Sequence, residues 1–249
     1  GTLGNFLGAS ALGILAFKGF TTIANSGSEV IDPKRNVGRA IIISIAACVV
    51  IYTLVGFAVA SNLSLAEIIE TQDYSLAAAA RPALGEYGVW FTIAIAMMAT
   101  AGGILASVFA VSRMLAMLTE MRMIPHRHFG MPGNIQRHTL VYTVVIASIL
   151  AIFFGLGRIA SLGAFFYLVM DMTVHWGVFR FRRKKVGAAG AVILAALAFD
   201  AVVLSAFTAM KLQSDPAIVL IAGLAIAAVF AFERLYLSRW LAPQANPDH

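Results

Sequence analysis

The sequence predicts an all-α integral membrane protein with about seven transmembrane helices. Of its 249 residues, 60% are apolar and 12% are charged, whereas a soluble domain has roughly 45–50% apolar and about 25% charged residues. The apolar residues form runs of about 20, the length of a spanning helix, and do not alternate as in a transmembrane barrel. Lys and Arg lie in short segments between these runs, as topology signals do. This composition excludes a soluble enzyme, a nucleic-acid-binding domain and a disordered chain.

Seven apolar runs are long enough to cross about 30 Å of hydrocarbon. The third run is over-long and is expected to tilt or to continue beyond the bilayer. The fourth is short, and Gly155 and Gly157 are expected to give it a tight turn into the fifth. The predicted spans are Leu7–Ala24, Ala40–Ala60, Val89–Leu118, Leu140–Leu156, Ile159–Phe179, Val186–Phe207 and Ala217–Tyr236.

The segments between the spans predict the orientation of the chain. One side carries 14 of the 18 Lys and Arg residues, mainly in residues 32–39, 119–138 and 180–185. The longest loop of the other side is acidic, with Glu67 and Glu70 among its residues. The positive-inside rule therefore predicts a multi-pass protein of the plasma or inner membrane, with a cytoplasmic C-terminus and an extracytoplasmic first residue.

The first span contains the pair Lys18-Gly19 in the middle of an apolar run. A lysine at the centre of a membrane helix costs about 2.5–3.5 kcal/mol on insertion scales, and glycine is a poor helix former. We therefore expect a discontinuous helix near residues 17–20, whose unwound backbone and half-helix ends face a polar cavity, as in transporters of charged substrates. The alternative is that Lys18 snorkels to the interface or pairs with a neighbouring helix, and the functional interpretation is preferred.

The fifth and sixth spans contain ionisable residues that could carry chemistry. Asp171 and His175 are four residues apart in the fifth span, hence on one helix face. They are candidates for a proton relay, together with Lys18. A purely structural pair near the basic residues that begin at Arg180 is the alternative, and the sequence does not decide between the two. For Asp200, in the sixth span, a hydrogen bond to a neighbouring helix is expected.

The sequence contains no catalytic or cofactor-binding pattern. It lacks a phosphate-binding loop, paired carboxylates and a nucleophile elbow, so we expect neither enzymatic activity nor a cofactor. Cys48 is the only cysteine, which excludes a Cys-based metal site within the chain. His126, His128 and His138 lie in a basic loop and are expected to be solvated, since a metal site needs defined spacing and supporting contacts. No metal site is predicted.

Two stretches of the sequence match the pattern of a known family. The first comprises Ala16–Phe20, Ile23–Asn25, Glu29–Val37 and Arg39–Ile41, and the second runs from Thr100 to Pro125 and includes Ala110–Arg113 and Met123–Pro125. They resemble, respectively, the sixth helix with its following loop and the eighth helix with its exit loop of amino acid permeases in the amino acid–polyamine–organocation superfamily. The resemblance covers residues 1–180 and extends more loosely to the C-terminus.

The resemblance implies a particular fold and domain organisation. The chain would be the second half of a five-plus-five inverted-repeat fold followed by two further helices, so its spans would be helices six to twelve. Residues 1–249 would form one membrane-domain fragment, with the second repeat in 1–180 and two extra helices with a cytoplasmic tail in 186–249. Helices one to five would be missing. Because the family's substrate site lies between the repeats, this polypeptide alone is not expected to transport.

The resemblance also implies a substrate site in the interrupted first span. Two positions there depart from the family pattern. Thr21 stands where many members have Glu, so no preference for amines is implied. Lys18 stands at an often neutral position, and its charge is expected to meet a substrate carboxylate or to replace a coupling cation. The implied substrate-binding residues are Phe17, Lys18, Gly19, Phe20 and Thr21.

The function implied by the resemblance is secondary active transport of amino acids or related organic cations by alternating access, coupled to protons or by exchange. The implied partners are an amino acid substrate, protons, the lipid bilayer and the five missing helices, and no nucleic acid is expected. An inorganic-ion carrier or another solute carrier of the same fold is the alternative. A seven-helix receptor is a further alternative, against which the match at residues 16–41 argues.

Overall fold

A computed structural model describes residues 3–17, 19, 23, 30–121, 123–124 and 134–241. In these ranges the regular secondary structure is helical throughout, which confirms the predicted all-α membrane class. A π-helical turn, Val178–Arg182, follows the helix that ends at Gly177. The helices are α1 (Leu3–Ala16), α2 (Pro33–Asn62), α3 (Leu65–Glu70), α4 (Ser75–Glu120), α5 (Ile135–Phe153), α6 (Leu156–Gly177), α7 (Arg183–Val186), α8 (Gly190–Ser214) and α9 (Pro216–Leu241).

Six helical segments of the described chain are long and apolar enough to cross a membrane. They are α2, α4, α5, α6 with its continuation to Val186, α8, and α9 as far as Tyr236. The predicted first span, Leu7–Ala24, differs. Its helix α1 has 14 residues, about 21 Å at 1.5 Å per residue, which is short of a bilayer. The residues that would complete this span lie mostly outside the described ranges, so full span length is found for six of the seven predictions.

The long helix α4 begins well before the third predicted span, which starts at Val89. Its 46 residues are interrupted at Gly85, whose φ of 61° and ψ of −154° are not helical. Pro82 lies one turn earlier and removes a backbone donor from the ladder. An ion pair of 3.0 Å between Arg81 and Glu86 bridges the interruption. The spanning part therefore follows Gly85, in agreement with a predicted start at Val89.

The boundary between the fifth and sixth predicted spans lies later than expected. The backbone stays helical through α6, the π-helical turn and α7. This helical stretch ends at Gly187, whose φ is 65°. Glycine adopts this left-handed conformation without the steric penalty of a Cβ atom. The next helix consequently begins at Gly190 instead of the predicted Val186.

The described helices form two compact units. The first comprises α1, the end of α5 and α6–α9, within Gly1–Lys18, Leu118–Arg127 and Val145–His249. The second comprises α2, α3, most of α4 and the first half of α5, within Gly19–Met117 and His128–Val144. The two are described separately below.

In the first unit, α8 is the helix on which the others pack. It contacts α1, α6 and α9. Phe207 of α8 is 0% exposed, and its ring centroid lies 4.8 Å from that of Phe165 in α6. A Cβ atom added at Gly8 of α1 would lie 3.0 Å from Sδ of Met210, so the glycine permits close approach. Small residues at helix contacts are typical of membrane proteins, where packing replaces the hydrophobic effect as the driving force.

In the second unit, a buried polar contact joins α4 to α5. The Thr139 hydroxyl donates to the backbone carbonyl of Ser112 at 2.8 Å. Next to Thr139, His138 is 1% exposed, so the expectation that this histidine is solvated is wrong. The helix α5 begins at Ile135, which places His138 in the first helical turn and not in a loop. His126 and His128 lie outside the described residues.

Replacing Phe207 with Ala is expected to destabilise the first unit. Loss of the ring leaves a cavity that costs about 24 cal/mol per Å³, or roughly 2 kcal/mol for a phenyl group. The free energy of transferring the ring out of the core adds little, because its surroundings are apolar in both the folded and the unfolded protein in a membrane. Thermal unfolding in detergent measures the loss. The matched control is Phe199→Ala on the same helix, where the ring is 55% exposed. Equal losses for both variants would contradict the assignment of the core to this face.

The ion pair between Arg158 and Asp215 is expected to give a pH-dependent contribution to stability. Arg158 donates to both carboxylate oxygens of Asp215, at 2.7 and 3.3 Å, and this contact lowers the pKa of Asp215. Because the pKa of Asp215 is lower in the folded state, the ion pair stabilises the fold at pH values above the unfolded pKa of about 3.9. This contribution is lost as the pH falls through the folded pKa. Arg158→Gln should therefore lower the unfolding temperature at neutral pH and match the wild type in acid. Arg39→Gln is the control, and a pH-independent deficit for Arg158→Gln would refute this account.

Candidate functional site

The end of α1 lies at the point where the sequence predicts an interruption. The helix ends at Ala16, and the Phe17 amide donates to the Ile14 carbonyl at 3.0 Å in a closing turn. Gly19 is also in a turn and is exposed. A Cβ atom added at Gly19 would meet nothing within 4 Å. Of the predicted substrate-binding residues, Lys18, Phe20 and Thr21 lie outside the described part of the chain, so the discontinuous helix stays a prediction.

A second predicted site, at Asp171 and His175 of α6, gains a partner from α8. Nδ1 of His175 lies 2.9 Å from Oδ2 of Asp200. One donor atom from each of the three residues lies within 4.8 Å of the other two. The side chain of Asp200 is 9% exposed and that of His175 is 27% exposed. We refer to Asp171, His175 and Asp200 as the carboxylate–histidine cluster.

Asp200 lies far from both ends of its helix, whereas His175 lies in the last turn of α6, which ends at Gly177. Asp200 follows the start of α8 at Gly190 by ten residues and precedes the end at Ser214 by 14, which corresponds to about 15 and 21 Å along the axis. Tyr167, one turn before Asp171 on α6, is 8% exposed and lines the same face. An ionisable group at such a depth is rare in membrane proteins and is functional by default, because its charge is costly there.

The hydrogen bond to Asp200 determines which histidine nitrogen can take up a proton. While Asp200 is ionised it can only accept, so Nδ1 of His175 must carry the hydrogen atom. Nε2 is then the ring nitrogen that can accept a hydrogen bond. The arrangement therefore places one imidazole nitrogen and two carboxyl groups, all chemically able to exchange a proton, next to one another.

The same three side chains are of the type that binds metal ions. One imidazole nitrogen and two carboxylate oxygens suit a divalent transition metal. However, the Nδ1 atom and the Asp200 carboxylate already satisfy each other through their hydrogen bond. A proton therefore requires no rearrangement of this contact, whereas a metal ion bound through Nδ1 would have to break it.

The structure thus adds one residue to the predicted pair. The spacing of four residues correctly placed Asp171 and His175 on one face of α6. The expectation that Asp200 bonds to a neighbouring helix agrees with its contact to His175. The partner itself was missed, because a single buried acid in an apolar run gives no signal about which of several helices faces it.

The second unit contains a separate cavity of about 690 Å³ against the spanning part of α4. Most of its surface is apolar, and its polar lining residues are Gln72, Asp73, Ser75, Thr92 and Thr100. The Thr92 hydroxyl donates to the Gly88 carbonyl of its own helix at 2.8 Å. This hydroxyl is therefore already engaged within its own helix.

Comparison with known proteins identifies the family. A model of the amino acid permease family matches residues 1–232. The chain belongs to the amino acid permease family. The predicted resemblance is confirmed, and the predicted multi-pass membrane protein is consistent with the apolar helices described above.

The chain is similar to several longer proteins. It is 25% identical to the inner membrane transport protein YbaT of Escherichia coli over 223 residues, which are 88% of this chain and 51% of YbaT. It is 26% identical to the uncharacterized protein MJ0609 of Methanocaldococcus jannaschii, over 67% of this chain and 38% of that protein. The uncharacterized transporter Rv1999c of Mycobacterium tuberculosis is 32% identical over 58% of this chain and 33% of its own length. The chain therefore spans about half the length of YbaT, and its match covers less of the other two.

Proposed function

We propose that this permease contributes to a secondary active transporter that moves amino acids or related organic cations by alternating access. The observation that carries the proposal is the family match over residues 1–232. The names of two similar proteins, a transport protein and a transporter, support the same class. An enzyme is not favoured by any of these similarities.

The substrate site in this proposal is the segment that follows α1. The end of that helix at Ala16 supports an interruption next to Phe17, Lys18 and Gly19. Free carbonyl and amide groups at such an interruption recognise the charged groups of a zwitterion. The ammonium group of Lys18 is proposed to bind the substrate carboxylate, and Phe20 and Thr21 are proposed to complete the site.

Proton coupling is proposed to use the carboxylate–histidine cluster. A half-buried imidazole that is held by one carboxylate and placed next to another can exchange a proton with its surroundings. Binding the proton lowers the charge of the cluster and hence the electrostatic cost of keeping α6 and α8 together in the membrane. Proton uptake would therefore favour one conformation of this helix pair over another.

The complete transporter is proposed to need five further helices before α1, on the same polypeptide or on a partner, because the substrate site lies between two repeats. The plasma or inner membrane is the proposed location, with the C-terminus in the cytoplasm. Protein extracted from its native membrane is the correct material for any test. Its intact mass, compared with the 26.5 kDa of this chain, shows whether the helices share one polypeptide.

The substitution Lys18→Ala tests the substrate site. We measure uptake of radiolabelled amino acids into liposomes that contain the protein isolated with its native partners. Loss of a charged hydrogen bond of roughly 1.5–3 kcal/mol should raise KM by about 10- to 150-fold. Lys34→Ala, at the exposed start of α2, is the control and should leave KM unchanged.

Two outcomes would contradict the proposed substrate site. Wild-type KM for Lys18→Ala at all pH values would exclude a role for this ammonium group in binding. Uptake of inorganic ions that no amino acid inhibits would instead favour the alternative carrier of the same fold.

The substitution Asp171→Asn tests proton coupling. Uptake driven by a pH gradient should fall by at least about tenfold, the equivalent of 1.4 kcal/mol, while exchange of substrate across the membrane without a gradient persists. The ratio of driven uptake to exchange is the readout, because a purely structural defect would lower both together. Glu233→Gln, an exposed carboxylate on α9, is the matched control. An unchanged ratio in Asp171→Asn would leave this residue without a coupling role.

A further inference from the structure

A dense group of positive charges follows the spanning part of α6. Five of the six residues 180–185 are Lys or Arg, and all of them are exposed. Residues 172–199 contain no acidic residue, and none of the ion pairs between described residues involves this segment. We refer to residues 180–185 as the basic segment. Its charge is therefore not balanced by described acidic groups of the chain.

Two arginines of the basic segment are held close to the helix by aromatic rings. The guanidinium carbon of Arg180 lies 5.7 Å from the ring centroid of Phe181, and that of Arg183 lies 5.7 Å from the ring centroid of Phe179. A Cβ atom added at Gly190 would lie 2.5 Å from Nη1 of Arg183, so this side chain also rests on the start of α8. These contacts reduce the rotamer freedom that an arginine loses on binding a ligand.

Large apolar side chains are exposed between and beside the charges. Phe181, inside the basic segment, is 74% exposed. Trp176 and Val186, on either side of it, are exposed as well. Aromatic rings next to Lys and Arg are typical of the boundary between acyl chains and headgroups, where the rings insert and the long basic side chains reach the phosphates.

The position of the segment selects the ligand. The π-helical turn at Val178–Arg182 directly continues the spanning helix, so the headgroups of the surrounding bilayer are the nearest surface for these side chains. A cluster of four to eight basic residues next to a spanning helix attracts anionic lipids, by about 1 kcal/mol for each residue. Either orientation of the protein would bring this segment to a membrane surface, because the segment directly continues a spanning helix.

We infer that the basic segment is a binding site for anionic phospholipids. Arg180, Arg182 and Arg183 contact the lipid phosphate, and Phe181 inserts among the adjacent acyl chains. This role is independent of the substrate and of the proton coupling proposed above. It goes beyond setting the orientation of the chain, since it requires preferential binding in the folded protein.

Lipid competition in detergent tests the inference. The chain is incubated with equal amounts of phosphatidylglycerol and phosphatidylcholine, and native mass spectrometry measures the ratio of the two bound lipids. We expect the wild type to enrich phosphatidylglycerol. The triple variant Arg180→Gln, Arg182→Gln, Arg183→Gln should lose this enrichment by between about tenfold and about 100-fold, the upper value corresponding to about fivefold for each residue.

The matched control carries the same loss of charge elsewhere. Lys34, Arg35 and Arg39 are also exposed at the start of a spanning helix, but Asp32 precedes them and no aromatic residue lies among them. Their triple substitution to Gln should retain most of the enrichment. If the two triple variants lose it equally, the preference follows net charge alone and the inference is wrong.

Further variants and a competitor complete the test. Phe181→Ala changes no charge and should lower the enrichment severalfold, while Phe181→Trp should retain it. Replacement of the three arginines by lysine keeps the charge and should also retain most of it, which covers the case in which the Gln variant does not fold. Excess inorganic phosphate should not displace the lipid. Displacement by phosphate, or unchanged enrichment in both Phe181→Ala and the folded Gln variant, would overturn the inference.

Discussion

Hydrocarbon provides no hydrogen-bonding partners, and this constraint governs where polar groups lie in the described spans. Backbone groups must be paired within each segment, which permits helices. Hydroxyl groups such as those of Ser61, Thr143, Thr173 and Ser205 donate to the carbonyl four residues earlier in their own helix. Among the described residues, no buried side-chain nitrogen or oxygen lacks a partner. Acids and histidines cannot be satisfied in this local way, so they must reach another helix.

The pair α6–α8 shows the consequence. Two polar contacts and one packing contact, made by the continuation of α6 into α7, lie along its length. An ion pair joins Arg158 to Asp215 near one end, the contact between His175 and Asp200 lies between the ends, and Arg183 rests on Gly190 at the other end. The middle contact is the least exposed of the three.

The same helix α8 connects the two regions for which a function is proposed. Asp200, Val203 and Phe207 are spaced three and four residues apart and lie along one face. Val203 and Phe207 belong to the core with Ala11 of α1, and Asp200 contacts α6. The helix α1, which ends at the predicted substrate segment, and the helix α6, which carries the proposed proton-coupling residues Asp171 and His175, thus pack on a common partner. A shift of α8 relative to α6 would therefore change the packing of α1, which contacts α8.

Much of the architecture could be inferred from local patterns. Spanning helices depend on the length and composition of single runs, and the face shared by Asp171 and His175 depends on the helical period. These properties involve residues close in the chain, and the structure agrees with them. The boundaries at Gly85 and Gly187 depend on backbone conformations that single residues adopt in context, and they were less accessible to sequence analysis.

Contacts between distant residues were not accessible in this way. The pairing of Asp200 with His175, of Thr139 with the Ser112 carbonyl and of Phe207 with Phe165 depends on which helices are neighbours and on their rotation. Apolar runs of similar composition carry no information about that choice. His138 shows the same limit, because its sequence neighbours do not indicate whether it lies in a loop or is buried in a helix. Burial and partnership are settled by packing, which sums many small interactions over residues far apart in the chain.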